Sequence, residues 1–531
     1  MLRVREIKLS FQDDNENNLK LSILKKLRLP KNYNLTYKVV RKSLDARKKP
    51  EVYYVYEILC TLDKKEEARL LKLNNKDIVL GAEIKYDFKP IGTEKPKNPI
   101  VVVGSGPAGL FASLNLIKNG YHVVVIERGY EIAKRIKVVE EFWHTNKLDS
   151  KSNIQFGEGG AGTFSDGKLN TLVNDKEGRY QYVMETFAFF GANKEITYVN
   201  KPHIGTDVLR TVITNMRKKL ETLGAKFLFA TELTDINIKE GKIESIVLNN
   251  KEIMPCSGLI LAIGHSARDT FYMLNKKGLA MENKPFAVGF RIMHSQSLID
   301  KNQYGILDNR LPAASYKLTF KASNNKGVYS FCMCPGGYVV NASSEPNRLC
   351  INGMSYSKRD SGIANSAIIV TVNETDYGTV LFDGIKFQRA LEEKAYYLGK
   401  GLIPIETYGD YKNNKKPQNL GTLEPKIKGK YNIANLNELL PNNLNVALKE
   451  GIENFDKKIK GFADNNALLC GIEARTSSPI RIIRNEHYES NIVGIYPCGE
   501  GAGYAGGITS AAIDGLKVSE AIMNKFKPLE K

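Results

Sequence analysis

The sequence predicts an α/β protein built around a parallel sheet, preceded by an α+β module and interrupted by an α+β insertion. An apolar run at residues 100–103 breaks into a glycine-rich turn and then a helical pattern. Residues 1–92 read as β-α-β-β-α-β, and residues 286–458 alternate strand patterns with amphipathic helices. We therefore expect four segments: an accessory module at 1–92, the first part of the parallel-sheet domain at 96–285, the insertion at 286–458 and the second part of that domain at 459–531.

The accessory module carries strand and helix patterns in the ferredoxin-like order. Strands are predicted at 2–11, 35–43, 52–61 and 78–87, with helices at 18–27 and 64–73. Residues 92–99, which are rich in lysine and proline, are interpreted as the linker to the next domain.

The next strand leads into a Gly-x-Gly-x-x-Gly turn formed by Gly104, Gly106 and Gly109, followed by a helix predicted at 110–118. In such a turn the first glycine permits the bend, the second lets phosphate approach the backbone, and the third lets the helix pack on the strand. The following strand, at 121–126, ends in Glu127, at the spacing where an acid binds a ribose hydroxyl. These features predict a dinucleotide site and do not distinguish FAD from NAD.

Later segments supply further strands for the same sheet. A helix at 206–223, with Thr206 as its predicted cap, precedes a strand at 225–230 and a hairpin around Gly241. Buried-strand patterns at 258–264 and 492–498 follow, and the second runs into a glycine-rich segment and a helix of small residues. This arrangement resembles the two-dinucleotide-binding-domain flavoproteins of the glutathione reductase type, and the resemblance implies a Rossmann-type FAD-binding domain.

A more specific resemblance rests on residues 155–169, which read QFGEGGAGTFSDGKL, on residues 471–481, which read GIEARTSSPIR, and on the C-terminal glycine run. Together they look like the large bacterial "NAD(FAD)-utilizing dehydrogenase" family, which is named for its cofactor and not for an established reaction. The resemblance covers most of the chain from residue 96 onward. It implies FAD as the cofactor and says little about the substrate.

Carried over residue by residue, the resemblance implies a set of FAD-binding residues. Many relatives in the wider superfamily carry aspartate where this chain has Glu500, which puts a direct ribityl contact there in question. The glycine-rich loop around Gly160 is interpreted as a close backbone approach to the cofactor, with a mobile surface loop as the alternative. The set comprises Gly104, Ser105, Gly106, Pro107, Ala108 and Gly109 at the pyrophosphate, Glu127 and Arg128 at the adenosine ribose, Leu233 at adenine, Gly159, Gly160, Ala262 and Gly264 along the cofactor, and Gly499, Glu500, Gly507 and Ile508 at the flavin end.

Composition excludes several classes of protein. With 531 residues, 42% hydrophobic and 25% charged, the chain reads as a soluble protein of about three domains. The uncharged stretch 99–117 is broken by Gly, Ser, Pro and Asn, and no apolar signal segment begins the chain, so we expect a cytoplasmic protein that does not associate with membranes. Seven scattered cysteines without a Cys-x-x-Cys predict neither a disulfide framework nor a metal site. Cys332 and Cys334 are interpreted as small residues on one strand face, with a redox thiol pair as the alternative.

The charge distribution leaves a second function open. The net charge is +19, and residues 1–98 contribute 23 basic against 14 acidic side chains. Six basic residues between 38 and 49, beside Tyr53 and Tyr54, could bind RNA, which makes an RNA-modifying flavoenzyme one alternative. A solvated basic surface is the favoured interpretation, because no RNP-type aromatic signature is present. A third hypothesis is a flavin-binding sensor or scaffold without turnover.

The favoured function is an FAD-dependent oxidoreductase that passes hydride through flavin N5 to or from a small-molecule substrate. No second strand-coupled glycine motif occurs, so NAD(P)H, if used, must bind without its own Rossmann unit. The flavin is expected to be noncovalent, with a link to His144 or His203 left open, and no catalytic side chain is assigned. Candidates for substrate binding or acid–base work are Arg475 and Arg481, each equally interpretable as part of a salt bridge, His265, which also fits a loop cap, and, by residue type alone, Arg291, His294 and Arg359.

Overall fold

The computed structural model describes residues 1–528 of the chain. Its N-terminal sheet has the strand order β2–β3–β1–β4, antiparallel throughout, which confirms the ferredoxin-like prediction. Leu2, Ile23, Leu27 and Ile58 belong to the core that the two helices form with this sheet. The elements are β1 (Leu2–Ser10), α1 (Glu16–Leu27), β2 (Thr36–Lys48), β3 (Glu51–Thr61), α2 (Lys64–Lys72) and β4 (Ile78–Leu80).

The segment after the module is bonded to the C-terminal helix rather than crossing as a free linker. Strand β4 ends at Leu80, earlier than the predicted residue 87. Further on, the backbone N–H of Gly92 donates to the Met523 carbonyl at 3.0 Å and that of Glu94 to the Lys525 carbonyl at 3.1 Å. The backbone of this segment thus forms hydrogen bonds with residues outside the module, and a local sequence pattern does not predict such partners.

One end of the module sheet packs against the insertion. Phe11 and Val52 lie in the buried core of the insertion, and Leu44 and Tyr54 pack against its edge. The backbone N–H of Lys42 also donates to the Tyr198 carbonyl at 2.8 Å. The module therefore shares apolar contacts with the rest of the protein.

Residues 100–283 provide most of the parallel-sheet domain. Strands β5, β6 and β11 are buried along their whole length, as expected for parallel strands covered on both faces. The elements are β5 (Ile100–Val103), α3 (Pro107–Lys118), β6 (Val123–Ile126), α4 (Ile132–Thr145), α5 (Arg179–Phe189), α6 (Thr206–Thr222), β7 (Lys226–Leu228), β8 (Leu233–Lys239), β9 (Lys242–Leu248), β10 (Glu252–Pro255), β11 (Gly258–Leu261), α7 (Arg268–Lys276) and β12 (Met281–Asn283).

The remaining elements belong to the insertion and to the C-terminal return. These elements include five helices that accompany the insertion sheet and one long final helix. They are β13 (Phe286–Ser295), α8 (Gln296–Tyr304), β14 (Thr319–Lys321), β15 (Gly327–Cys334), β16 (Tyr338–Asn341), β17 (Ile351–Met354), β18 (Ile363–Val372), α9 (Glu374–Tyr377), α10 (Asp383–Leu398), β19 (Ile403–Thr407), α11 (Tyr408–Asn413), β20 (Ile427–Lys428), β21 (Tyr431–Ile433), α12 (Asn442–Asp456), β22 (Leu468–Glu473), β23 (Ile480–Ile482), β24 (Ile495–Pro497) and α13 (Ile508–Lys525).

The parallel sheet has the order β24–β11–β5–β6–β7, so strands from both ends of the domain lie side by side. This confirms the predicted α/β class with an interrupted parallel sheet. Helices α3 and α13 pack so closely that a Cβ atom on Gly515 would collide with the backbone of Ala108. The hairpin predicted around Gly241 is present as β8–β9 and continues into β10. None of the helices among residues 1–528 is both long enough and apolar enough to cross a membrane.

The insertion is built on a seven-stranded sheet of order β14–β15–β18–β13–β22–β19–β21. Strand β22 pairs with β13 and β19, so the chain returns to the parallel sheet after Glu473 and not at the predicted residue 459. A fully buried strand looks alike in either sheet, and only its pairing distinguishes the two. Helices α8, α10 and α12 contact this sheet.

Candidate functional site

The glycine turn has the geometry that its spacing predicts. Gly104 adopts φ +103°, and a side chain there would run into the carbonyl of Ala262 on the neighbouring strand end. A Cβ atom on Gly109 would collide with the carbonyl of Gly104, so only glycine lets α3 pack this closely on β5. Helix α3 begins after Gly106 with Pro107 in its first turn and no side-chain cap. The first-turn amides therefore remain available to a ligand.

The glycine-rich loop lies directly over this turn. The N–H of Gly159 donates to the Ser105 carbonyl at 3.0 Å. A Cβ atom on Gly160, which has φ +64°, would lie 3.1 Å from the Cα atom of Gly106. The loop is thus in close contact with the turn and is largely buried, which does not fit an exposed surface loop. Its expected approach to the cofactor stays a prediction.

Arg135 holds the loop in place, a role that the sequence did not suggest. Its buried guanidinium donates to the carbonyls of Asn153, Ile154, Gly157, Glu158 and Gly160, at 2.7–3.2 Å. Burial lowers the pKa of Arg135 to about 9, which leaves it charged at neutral pH. One cation on α4 therefore satisfies five loop carbonyls.

Glu127 also contacts the loop rather than an open cleft. One carboxylate oxygen accepts from the Ser105 N–H at 3.0 Å and hydroxyl at 2.7 Å. The other accepts from the amides of Gly129 and Gly157 at 3.0 and 2.9 Å. Four protein donors occupy the carboxylate, so its contact with a ribose stays a prediction, whereas its tie between turn and loop is a structural role that the spacing did not predict.

The other residues expected at the adenosine end lie nearby. Arg128 donates to Asp269 and Thr270, each at 3.0 Å, and its guanidinium lies 4.5 Å from the centre of the Phe156 ring. Leu233 is the buried first residue of β8. Gly264 adopts φ +72° just after β11, with open space where a side chain would be.

The expected flavin end lies at the start of α13. This helix begins at Ile508 after Gly507, with no side-chain cap, and Gly506 and Gly507 are exposed. The N–H of Gly499 donates to Asp514 at 2.8 Å. The Thr509 hydroxyl donates to the Leu169 carbonyl at 2.8 Å, which ties the end of the glycine-rich segment to the first turn of α13.

A small apolar pocket lies between these elements. Its lining includes Pro107, Gly159, Gly162 and Ile508, together with side chains from α3, α5 and α6. Two helix N-termini without side-chain caps thus lie beside the same glycine-rich loop. Uncapped helix starts of this kind favour the phosphates of a dinucleotide, because their free amides can bind negative charge.

Glu500 and His265 follow adjacent strand ends at this crevice. The Oε1 atom of Glu500 and the Nε2 atom of His265 are 4.0 Å apart, and the Glu500 side chain is 28% exposed. Burial raises the pKa of Glu500 to about 7, opposed by the charge of Lys284. Burial, with help from Arg475 and Arg268, lowers the pKa of His265 to about 3, so this imidazole is neutral at physiological pH.

Arg475 forms a structural salt bridge and is not free to bind an anion. It donates twice to Glu392 at 2.8 Å, and Arg268 donates to the same carboxylate at 2.7 and 3.0 Å. Arg475 also reaches the Ser266 hydroxyl at 3.1 Å. This buried network joins α7, α10 and the segment after β22. Arg481 is partly exposed and lies 3.2 Å from Glu282.

The remaining candidates divide between structural and cleft positions. Arg291 is buried against Glu473 at 2.6 Å, and His294 lies in the insertion core with its Nε2 atom 2.7 Å from the Phe462 carbonyl. His144 stays at the end of α4, 2.7 Å from the carbonyl of Glu140 in its own helix. Arg359 belongs to a polar cluster beside the glycine-rich segment, described next.

The polar cluster comprises Asp166, Lys168, His203 and Arg359, which come from three separate parts of the chain. Arg359 donates to both Asp166 oxygens at 3.2 and 2.6 Å. Lys168 Nζ and His203 Nε2 lie 3.9 and 3.8 Å from the same carboxylate. Burial and the Arg359 charge lower the pKa of His203 to about 4. The sequence analysis did not identify Asp166 and Lys168 as site residues, because no local spacing predicts contacts between distant segments.

Cys332 and Cys334 do not share a strand face. A bulge in β15 between Phe331 and Cys334 leaves Cys332 exposed at φ +41°, while Cys334 is buried. The Cys334 thiol lies 3.2 Å from the Cys332 carbonyl. The same-face interpretation is therefore wrong.

Most basic side chains between residues 38 and 49 have partners within the protein. Lys42 lies 2.7 Å from Asp14, Arg47 is 2.8 Å from Asp45, and Arg41 donates to Asn200 at 2.8 Å. Lys38 pairs with Glu83. Binding of RNA to this region stays a prediction.

The chain is similar to known proteins along its whole length. It matches family models described as "FAD-dependent protein, C-terminal domain-like" over residues 285–476, "FAD binding domain" over residues 99–135, and a domain of unknown function (DUF8436) over residues 1–61. The first of these matches spans the part of the chain from β13 to β22, which forms the insertion sheet. An uncharacterized protein of Clostridium beijerinckii is 47% identical over 534 residues, covering 99% of each chain.

Solved structures with a similar arrangement include two dehydrogenases. L-proline dehydrogenase from P. horikoshii is 14% identical, with 82% of this chain and 95% of that chain covered and a TM-score of 0.35. The glycerol-3-phosphate dehydrogenase from Bacillus halodurans, solved in complex with FAD, is 10% identical, with 81% and 66% covered and a TM-score of 0.36.

Proposed function

This chain belongs to the FAD-dependent oxidoreductase family, and from that premise we propose that it transfers hydride between a noncovalently bound FAD and a small-molecule substrate held beside the insertion. FAD supplies the hydride chemistry, and the protein supplies binding, orientation and charge stabilisation. The observation that carries the proposal is the pair of helices, α3 and α13, that begin without side-chain caps beside the same glycine-rich loop.

Each helix start has a separate task in this proposal. The first-turn amides of Ala108 and Gly109 hold the pyrophosphate, where the helix dipole favours negative charge. The amides that follow Gly507 stabilise negative charge at the pyrimidine end of the flavin ring. Orientation of the cofactor in this way requires no catalytic side chain from the parallel-sheet domain.

The insertion provides the second wall of the substrate space. One face of its sheet carries the buried side chains of Ala287, Ala367 and Ile369, with Tyr329 and Phe331 packed against them. Any nicotinamide donor would bind here, without a Rossmann unit of its own. We expect anaerobic addition of NADH or NADPH to bleach the flavin only slowly or at high concentration, and rapid bleaching at low concentration would contradict this expectation.

A substitution at Gly106 tests the cofactor site. Gly106 has φ −72°, which any residue adopts, and a Cβ atom there would be 3.8 Å from the Cα atom of Gly160. Gly106→Val should therefore fold but fill the phosphate space, so that the purified variant is colourless while the parent shows the oxidised-flavin spectrum. Acid precipitation of the parent should release FAD into the supernatant.

Gly327→Val is the matched control. Gly327 lies at the start of β15, where an added Cβ would be 3.4 Å from the Thr371 side chain, an ordinary contact. This variant should keep the FAD content of the parent. Full FAD occupancy in Gly106→Val would show that the pyrophosphate lies elsewhere, and a parent that binds FAD without reacting with any reductant would favour a sensor.

A further inference from the structure

The polar cluster lies at the edge of the proposed flavin site. Lys168 precedes Leu169, whose carbonyl accepts the Thr509 hydroxyl in the first turn of α13. Lys168 and His203 also pair through an isolated backbone bridge. The cluster is thus tied to the helix start that the proposed function assigns to the flavin ring.

The charges of the cluster do not balance. Arg359 is neutralised by Asp166 through two hydrogen bonds, and the neighbouring Arg291 is neutralised by Glu473 at 2.6 and 3.0 Å. Lys168 is the third cation, and it makes no hydrogen bond within the described residues, lying 3.9 Å from a carboxylate already occupied by Arg359. Its side chain is 32% exposed. The surplus positive charge therefore resides on Lys168.

A second, independent feature points to a ligand. The Nε2 atom of His203 is buried and has no hydrogen-bond partner among the described residues. Buried polar atoms of this kind usually find a partner, so the structure leaves one hydrogen bond unmade beside the surplus charge. Because the imidazole is neutral, it can donate or accept that bond without adding charge.

The insertion contributes Arg359 to this cluster. The two arginines considered for an anionic ligand from the sequence, Arg475 and Arg481, have carboxylate partners already. Lys168, in contrast, makes no hydrogen bond to a carboxylate within residues 1–528.

We propose that Lys168 and His203 bind the anionic end of the substrate, and that the substrate is a small carboxylate. The inference rests on the proposed function, because the flavin is what brings a reactive atom to this cleft. Lys168 supplies the charge, and His203 supplies a hydrogen bond to a carboxylate oxygen or to a neighbouring hydroxyl. A charge-assisted contact of this type is about twice as strong as a neutral hydrogen bond.

The test titrates the oxidised holoenzyme with sodium benzoate and sodium oxalate while following flavin absorbance. Benzamide serves as the uncharged analogue. We expect at least one carboxylate to perturb the flavin spectrum saturably and benzamide to leave it unchanged. Lys168→Met should weaken carboxylate binding by about tenfold or more, and Lys168→Arg should retain it. Lys176→Met, at an exposed lysine of the following loop, should bind as the parent does.

Each outcome separates the substrate site from the cofactor site. Carboxylate binding that is lost in Lys168→Met and kept in Lys168→Arg, with FAD content equal in both, supports the proposal. Equal carboxylate affinity in Lys168→Met and parent overturns it, as does the absence of any saturable response in yellow parent protein. Loss of FAD from both Lys168 variants would assign the cluster to the cofactor and overturn it too, whereas a colourless parent would refute the proposed function instead.

Discussion

Glu406 shows how a single buried carboxylate sets the pH dependence of stability. One of its oxygens accepts the Leu436 N–H at 2.6 Å, and the other is buried with no hydrogen-bond partner in the described part of the chain. Burial raises the pKa of Glu406 to about 8, with further contributions from Asp410 and Glu438 and opposition from Lys449. The folded protein therefore keeps this proton over a pH range in which the unfolded chain has released it.

We predict that Glu406→Gln flattens the decline in stability that accompanies a rise in pH from about 5 to about 8. A raised pKa in the folded state means that the contribution of this group falls as pH rises from the unfolded value toward about 8. The variant, uncharged throughout, should match the parent at about pH 5 and exceed its melting temperature at about pH 9. Glu486→Gln, at a side chain that is 87% exposed, is the control and should follow the parent. Identical profiles for Glu406→Gln and parent would contradict the prediction.

At the scale of elements, the buried network around Glu392 joins parts of the protein that are far apart in sequence. Its carboxylate receives Arg268 from the start of α7 and Arg475 from the segment after β22. Those two arginines hold the pKa of Glu392 well below its usual range, against the effect of burial. Removal of one charge from such a network leaves its partners buried and uncompensated.

We predict that Glu392→Gln destabilises the protein by about 3–5 kcal/mol, the usual cost of breaking a buried ion pair. The next residue offers a matched control. Glu393 pairs with Arg348 and is 44% exposed, so Glu393→Gln should cost less than about 1 kcal/mol. Thermal unfolding of the two variants beside the parent makes the comparison. Equal melting temperatures for both variants would show that the network contributes little to stability.

At the scale of the whole molecule, the N-terminal module and the insertion share a core. Phe11 and Val52 reach the insertion from one end of the module sheet. Tyr86, in the segment that follows the module, donates to Glu520 at 2.8 Å on α13. The FAD-binding residues predicted from the sequence all lie beyond residue 99, so we expect the module to contribute to packing around the site rather than to the site itself.

We predict that a chain of residues 93–531 still binds FAD but is less soluble than the full chain. Removal of the module exposes the apolar surface that Phe11 and Val52 cover, while the glycine turn keeps its contacts. The ratio of flavin to protein absorbance and the soluble fraction after expression measure the two effects separately. Colourless soluble protein would mean that the module completes the cofactor site, and fully soluble yellow protein would mean that its contact with the insertion is dispensable.

The sequence by itself determined the parallel-sheet domain, the glycine turn and the ferredoxin-like order of the module, because each depends on periodicity or spacing within a short stretch. The turn that contains Gly104, Gly106 and Gly109, for example, can be recognised from six consecutive residues. The tertiary structure alone decided that β22 joins the insertion sheet, that Glu127 ties the turn to the loop, and that Arg475 is neutralised by Glu392. It also brought Lys168, His203 and Arg359 to one carboxylate. All of these are hydrogen bonds, ion pairs or strand pairings between segments that are distant in sequence. Such contacts form only when the chain has packed, so no local sequence pattern could predict them.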